Sequence, residues 1–489
     1  MTLPLAAQGL YVWKLQLYWG KDSTYDFDLR TPAIQRSVVV GINRFPLKGR
    51  HEVHIGEADG GGGYDQFIRF RDVGDQHLEG RSVVRTIDGI GYLVAGVRYT
   101  TGSPDSVMFL FRWDTSHTNV WAQQVRLADP YGLPYETVMP TKVINYRGLY
   151  YLVGGYGRIG GRQDAFLLKV DDQGAIGWVM IYRDIATPDH DKSPLWLWDL
   201  EAAQSSGEVV LVGSRVTLFR NALPDVGCLN ERQQAWMVVV DGNNGTLLSN
   251  GIYAEYKDQC TELKKVRIAE EMATGKQYVL SCGWGTHRIP GTSATITPLT
   301  YNGELGNLAG GNLQFQMTLV GMGGNPAYEQ FRDLEYWMVQ DTVQDMLAYV
   351  GSVRDSSWYT PMGQCWDGFW WKAGKEIHVM QGFYYGWGQP QPYRLRHMEK
   401  VEADSALYLL GYDVAVPRAV LWKTEGRIFR PKGEVVQECR TEVAGAPDRP
   451  FGLYQESMEA LPGSVIVDPL QVELLDKWSD FPECSGTLN

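Results

Sequence analysis

No apolar run in this 489-residue chain approaches the roughly 18–20 residues that a membrane-spanning helix requires. Amphipathic helical spacing is also missing. The best attempt, 258–274, fits a strand and turn equally well. Cysteine is sparse: Cys228, Cys260, Cys282, Cys365, Cys439 and Cys484 are far apart and none forms a C-x-x-C pair. That removes the usual zinc and dithiol frameworks. An even count permits disulfides, but cysteine's habit of burial reads most of the six as buried free thiols. Positive charge is short as well, with 45 Lys and Arg against 57 Asp and Glu, a net charge of −12 and a pI near 5.3. That balance argues against nucleic acid or an anionic membrane as the main partner. The opening residues, Met-Thr-Leu-Pro-Leu-Ala-Ala-Gln-Gly, carry neither the basic start nor the long apolar stretch of a secretory leader.

What the chain has in abundance is glycine (55 residues) and aromatic side chains (12%), and they recur in a pattern. A short apolar strand ending in glycine reads Tyr92-Leu-Val-Ala-Gly96, Tyr151-Leu-Val-Gly-Gly155 and Val209-Val-Leu-Val-Gly213. It returns as Tyr278-Val-Leu-Ser-Cys-Gly283, Leu347-Ala-Tyr-Val-Gly351 and Leu407-Tyr-Leu-Leu-Gly411. The glycines stand 59, 58, 70, 68 and 60 residues apart. A steady period means one supersecondary unit copied many times. After the glycine comes a second landmark, clearest as Asp164-Ala-Phe-Leu-Leu-Lys-Val-Asp-Asp-Gln-Gly174 followed by Trp178. Residues 165–170 read as a strand, Asp171–Gly174 as a hairpin turn and 177–184 as a further strand. With a strand before each glycine-ended one, such as 82–86 or 198–202, the unit is a four-stranded meander.

Four-stranded meanders repeated around a circle make a β-propeller. The copy at 151–178 resembles a repeat of secreted bacterial and archaeal β-propellers. In that repeat a Gly-ended strand precedes Asp-Ala-Phe/Trp-Leu-x-Lys-x-Asp-x-x-Gly-x-x-x-Trp. The resemblance is degenerate in the other copies, covers roughly 80–430, and implies a fold with almost nothing about a ligand. The expectation is an all-β chain, 1–489, forming a single β-propeller of four-stranded antiparallel blades. Within it, 1–20 supplies a ring-closing strand, 21–75 an irregular first blade or an insertion, 76–450 about six repeats, and 451–489 a C-terminal blade and tail. The N-terminal strand at 10–19 is expected to join that C-terminal blade, which would leave no open edge. Seven blades are favoured; eight follow if Ser37-Val-Val-Val-Gly41 belongs to a full blade of its own.

Several motifs invite a chemical reading. Gly155-Tyr-Gly-Arg-Ile-Gly160 fits G-x-G-x-x-G, but a strand follows where a dinucleotide site needs a helix. His51 and His54 would point to opposite faces of a strand, which disfavours a shared metal even with His77 near. Glu57, Asp59 and Asp65 surround a glycine run and form a weak Ca²⁺ candidate without EF-hand spacing. No cofactor other than Ca²⁺ is expected. The aromatic segment 358–393 carries the best odds of a binding site. Trp358, Tyr359 and Trp366 are placed in the loop between the second and third strands of a repeat, and Tyr384, Tyr385 and Trp387 near a blade edge. Aromatic faces stack on sugars and anchor protein interfaces.

Two classes of function follow. The favoured one is a non-enzymatic binding or assembly propeller, with proteins of an assembly, a surface receptor or a glycan as partner and no insertion into membrane. A leaderless protein of this composition suits a virion component such as a phage tail or adsorption protein, placed in a virion or outside the cell, with the cytoplasm as alternative. A purely structural subunit is a variant of this reading. The other class is an enzyme acting on glycans through an axial carboxylate pair or metal, with Asp199, Glu201 and Asp333 as candidates. The connections at 214–234, 284–294 and 306–330 are where partner contacts should gather.

Overall fold

The structure, a computed structural model, describes residues 11–17, 24–29, 37–45, 50–58, 64–103, 105–114, 119–184, 194–218, 231–255, 260–270, 276–287, 295–315, 328–338, 345–355, 358–367, 379–384, 393–401, 406–413, 418–424 and 452–478. All regular structure among them is β, and among them no helix is long and apolar enough to cross a membrane.

After β1 (Tyr11–Leu17), the chain builds antiparallel meanders one after another. The first is β2 (Thr24–Leu29), β3 (Ser37–Phe45), β4 (Arg50–Ala58) and β5 (Tyr64–Asp72). The second is β6 (His77–Arg85), β7 (Gly91–Tyr99), β8 (Ser106–Asp114) and β9 (Asn119–Ala128). The third is β10 (Thr137–Tyr146), β11 (Tyr150–Ile159), β12 (Arg162–Asp171) and β13 (Ile176–Asp184). Next come β14 (Leu195–Ala202), β15 (Glu208–Leu218), β16 (Glu231–Asp241) and β17 (Gly251–Glu255). They are followed by β18 (Thr261–Glu270), β19 (Gln277–His287), β20 (Thr295–Glu304) and β21 (Asn307–Phe315). Then follow β22 (Tyr328–Met338), β23 (Asp345–Asp355), β24 (Trp358–Asp367) and β25 (Val379–Tyr384). The last set is β26 (Tyr393–Val401), β27 (Ala406–Asp413) and β28 (Arg418–Thr424), and its fourth strand is β1, antiparallel to β28. This succession of four-stranded meanders is a β-propeller repeat. The first strand of each set adjoins the first strand of the next, and β2 touches both β6 and β26.

The recurring apolar strand is the second of each set, and in β7, β11 and β15 both of its faces are covered. Leu93 and Ala95 of β7 pack toward Val153 and Phe166, while Tyr92 and Val94 pack toward Val53 and Phe70. That is why the sequence there is a continuous apolar run and not an alternating one. Each such side chain contributes roughly 1.5–3 kcal/mol on burial. Further clusters of the same kind join the third meander to the fourth and the fourth to the fifth.

The glycine that ends the run has a specific cause. In every meander the first strand carries a β-bulge, and the recurring glycine pairs with the residue just before it. Gly96 pairs with Gly80, Gly155 with Pro140, Gly213 with Leu197 and Gly283 with Leu263. Gly351, Gly411 and Gly41 pair in the same way with Phe331, Leu395 and Thr24. The bulge swings the backbone of the first strand inward. A Cβ on Gly155 would run into the carbonyl oxygen of Met139 and lie 2.8 Å from Pro140 Cα. On Gly213 and Gly283 it would meet the carbonyls of Trp196 and Glu262. Gly41 shares this register, so residues 24–72 form a regular meander and not an insertion.

The Gly-x-x-x-Trp part of the repeat is explained between sheets. Trp121 donates its indole N–H to the carbonyl of Asp172, 3.0 Å away in the next meander's hairpin turn. Trp178 does the same to Asn243 at 2.6 Å. The turn glycines beneath, Gly174 and Gly245, have φ of 86° and 76°, and a Cβ on either would press on that indole. The tryptophan of one unit therefore packs on the glycine turn of the unit that follows.

The C-terminal stretch is where the structure departs from expectation. Residues 452–478 do not make a blade, and β1 does not join them. They run as β29 (Gly452–Glu456), β30 (Met458–Pro462), β31 (Ser464–Pro469) and β32 (Val472–Trp478). Each adds a fifth, antiparallel strand to the outer edge of a different sheet: β29 to β17, β30 to β13, β31 to β9 and β32 to β5. This belt visits the first four meanders in reverse order. Connections of one or two residues, Ser457, Gly463 and Leu470–Gln471, link these strands, and each pairs with a sheet edge and not with its neighbour in the belt. Met458 and Leu470 anchor the belt in the clefts between sheets. Cys260 is disulfide-bonded, so at least one of the six cysteines is not the free thiol expected of most of them, and Cys282 lies buried in β19.

Candidate functional site

The bulges place one extra residue on each first strand: Tyr25, Arg81, Thr141, Trp198, Lys264, Arg332 and Arg396. Where side chains are described, three of these residues build a continuous wall across four meanders. Arg81 of β6 is ion-paired with Glu79. Tyr156 of β11 meets the Trp198 ring edge-on, with centroids 6.0 Å apart and planes at 76°. Burial raises the Tyr156 hydroxyl above its ordinary pKa; Arg81 opposes the shift and Glu79 adds to it. Trp198 donates its indole N–H to Ser214 Oγ at 3.0 Å, and Ser214 lies 3.3 Å from Glu262 Oε1. Lys264 of β18 donates to Glu262 at 2.7 Å and stands 3.4 Å above the Trp198 ring. The order along the wall is ion pair, two aromatics, ion pair.

The residue after the bulge does structural work. Ser82 Oγ accepts the Val143 N–H at 3.0 Å, and Asp199 Oδ2 accepts the Val266 N–H at 3.0 Å, each reaching into the next sheet. Asp199 is fully buried, with Lys265 at 4.0 Å and Arg267 at 3.7 Å. Glu201 lies 3.7 Å from the same Arg267. Asp333 occupies the corresponding backbone position on β22. Asp199, a candidate catalytic carboxylate, thus serves as a buried acceptor that joins two sheets.

The aromatic segment is divided by the fold. Trp358, Tyr359 and Trp366 are not in a loop; all three lie in β24, paired with Asp355, Arg354 and Leu347. Aromatic and β-branched residues favour a pleated strand, and Trp358-Tyr-Thr begins one here. Eight residues of strand, about 26 Å, separate Trp358 from Trp366. Trp358 and Tyr359 sit at the end where β22 begins, whereas Tyr384, the last residue of β25, lies opposite Met362, midway along β24. Trp366 lies at the opposite end. Tyr385 and Trp387 fall outside the described residues. Of the calcium candidates, Glu57 is on β4 opposite Gln66 and Asp65 is on β5, while Asp59 is outside the described residues. The glycine-rich Gly155–Gly160 continues β11 into its hairpin, so it opens no helix. His77 is buried, stacked on Tyr99 with ring centroids 4.9 Å apart and bonded to Thr101 Oγ1.

Of the connections expected to hold partner contacts, 214–218 and 231–234 prove to be strand, as do 284–287, 307–315 and 328–330. The links from β15 to β16, β19 to β20 and β21 to β22 all leave from the end where the first strands begin and carry their bulges. The wall, these three connections and Trp358 thus share one end of the sheets.

No family model and no curated protein matches this chain. Among solved structures it is similar to Sqt1 from Chaetomium thermophilum, at 10% identity over 85% of this chain and 99% of that one, with a TM-score of 0.42. It is similar at 10% identity to the β-propeller domain of the Trilobed protease from Pyrococcus furiosus, over 86% and 99% of the two chains, with a TM-score of 0.38. Extracellular domains 1-2 of Drosophila Semaphorin 1b match at 9% identity over 84% and 88%, with a TM-score of 0.37. Likenesses at this level assign no function; the propeller reading stands on the strand order described above.

Proposed function

We propose that this chain is a non-enzymatic β-propeller of seven blades, its ring closed by β1 in the sheet of β26–β28, that binds a partner at the end where its inner strands begin. The partner is a glycan or a protein surface, and a virion tail or adsorption apparatus is the setting that suits it. The observation that carries this reading is the state of the inner-strand carboxylates. Glu79 is engaged by Arg81, Asp199 by the Val266 N–H, Glu201 by Arg267 and Glu262 by Lys264. A glycan-cleaving site needs one carboxyl to give up a proton and another to attack or activate water. Carboxylates whose oxygens already face cations or backbone N–H groups are poorly placed to deliver a proton to a glycosidic oxygen or to attack a sugar. The test is a glycan array probed with the purified full chain, with release of new reducing ends measured on every glycan bound. Saturable binding without release is expected. Release of reducing ends would overturn the reading.

A further inference from the structure

The wall formed by Glu79, Arg81, Tyr156, Trp198, Glu262 and Lys264 has a composition that selects among ligand classes. Its two ends are matched pairs of opposite charge, so it is electrically balanced within a chain of net charge −12. Arg81 and Lys264 remain partly open to solvent, with side chains 24% and 20% exposed, while Glu79 and Glu262 lie behind them at 8% and 4%. Between the pairs stand the two aromatic rings. The carboxylate paired with each cation offsets much of the charge that an anionic ligand drawn to Arg81 or Lys264 would meet, so charge alone gives it little gain. A cation would face the converse. A sugar ring fits both elements: vicinal hydroxyls donate to a carboxylate while accepting from the neighbouring cation, and its C–H face lies on an aromatic surface. A few placed polar groups around aromatic side chains are the usual make-up of a small-ligand site.

The arrangement is also held in place. Arg81, Trp198 and Lys264 are each the extra residue of a bulge, a device that re-aims a side chain. Ser214 fixes the indole N–H of Trp198 and contacts the carboxylate that holds Lys264. Groups fixed before the ligand arrives bind without an ordering cost. Resting on the binding reading above, we propose that this wall takes the end of an uncharged, hydroxyl-rich glycan.

The test compares the full chain with Trp198→Leu and with the uncharged double variant E79Q/R81Q. Each is probed against uncharged hexose and N-acetylhexosamine oligosaccharides beside sialylated and sulfated ones, with far-UV circular dichroism as the folding control. Binding of uncharged glycans is expected to weaken roughly tenfold or more in either variant that folds. It should change little between about 0.05 M and about 0.5 M NaCl, because no net charge is neutralised. Undiminished binding in the folded variants would overturn the assignment. So would capture of the sialylated or sulfated glycans alone with a steep loss in salt, which would make the wall an anion site. Capture of a protein partner with no glycan retained would also sink this inference while leaving the binding propeller standing. Glycan cleavage, by contrast, would fall on the reading of function and not on the site.

Discussion

Replacing Gly155 by alanine is the sharpest test of why the repeat carries its glycine. The new Cβ would collide with the Met139 carbonyl oxygen and lie 2.8 Å from Pro140 Cα and 2.9 Å from Met139 C, all backbone atoms. Carbon atoms pack best near 3.5–4.0 Å, so the inner strand must retreat by about 1 Å. Overpacking alone costs roughly 1–3 kcal/mol, and two ladder hydrogen bonds weakened by the retreat add about 1 kcal/mol each. The expected loss is therefore roughly 3–5 kcal/mol. Gly177→Ala is the matched control. It also lies in a strand, but its nearest neighbours would be Lys169 O at 3.8 Å and Lys169 side-chain carbons at 3.9 and 4.0 Å. That variant should be neutral or more stable by about 0.4–1 kcal/mol through the unfolded chain. Urea unfolding followed by tryptophan fluorescence reads both. Equal midpoints for the two variants would refute the bulge as the reason for the glycine.

Trp178→Phe keeps most of the ring but loses the N–H to Asn243 and should cost about 1 kcal/mol; hydrogen exchange should quicken at Asp241, Asn244 and Gly245, whose amides are bonded within that turn. Ending the chain after Pro462 removes β31 and β32 and bares the outer edges of β9 and β5. Light scattering should then show oligomers, and a monodisperse monomer with an unchanged melting midpoint would contradict it. Asp129 is desolvated by burial, but Arg162 and the N–H groups of Leu133 and Tyr131 outweigh that and hold its pKa below the ordinary value. A lowered folded pKa gives stability that is present above about pH 4 and lost as pH falls through the folded value. Wild type should therefore lose stability faster than Asp129→Asn on acidification below pH 4, and parallel profiles would contradict it.

The parts of the fold visible in the sequence were those written in residue types that only one geometry tolerates. Glycine closing an apolar run and tryptophan four residues after a turn glycine are such types, and Gly155 and Trp178 behave as their spacing promised. The bulge was not visible. One skipped residue on an inner strand leaves the apolar pattern intact, so the periodicity does not mark Arg81, Trp198 or Lys264. The available signal was a charged or aromatic residue 15 positions before the glycine, as with Arg81, Trp198 and Arg396 before Gly96, Gly213 and Gly411. The belt was misread as a blade because short apolar strands in series look alike whether they pair with each other or with distant edges. Trp358 and Trp366 were grouped by nearness in sequence, yet an extended strand carries them to opposite ends of a sheet.

The reverse course of the belt also sets a timetable for synthesis. The outer edge of β5 is complete at Asp72, but its cover, β32, begins at Val472, about 400 residues later. At roughly 5–20 residues per second, the ribosome leaves that edge bare for about 20–80 s. The waiting time shortens for each later sheet, since β29 covers the fourth after far fewer residues than β32 covers the first. The earliest-made strands are thus the last to be sealed, and the nascent chain must pass through a stage in which four ladder edges stand open together beside neighbouring polysome copies of the same edges.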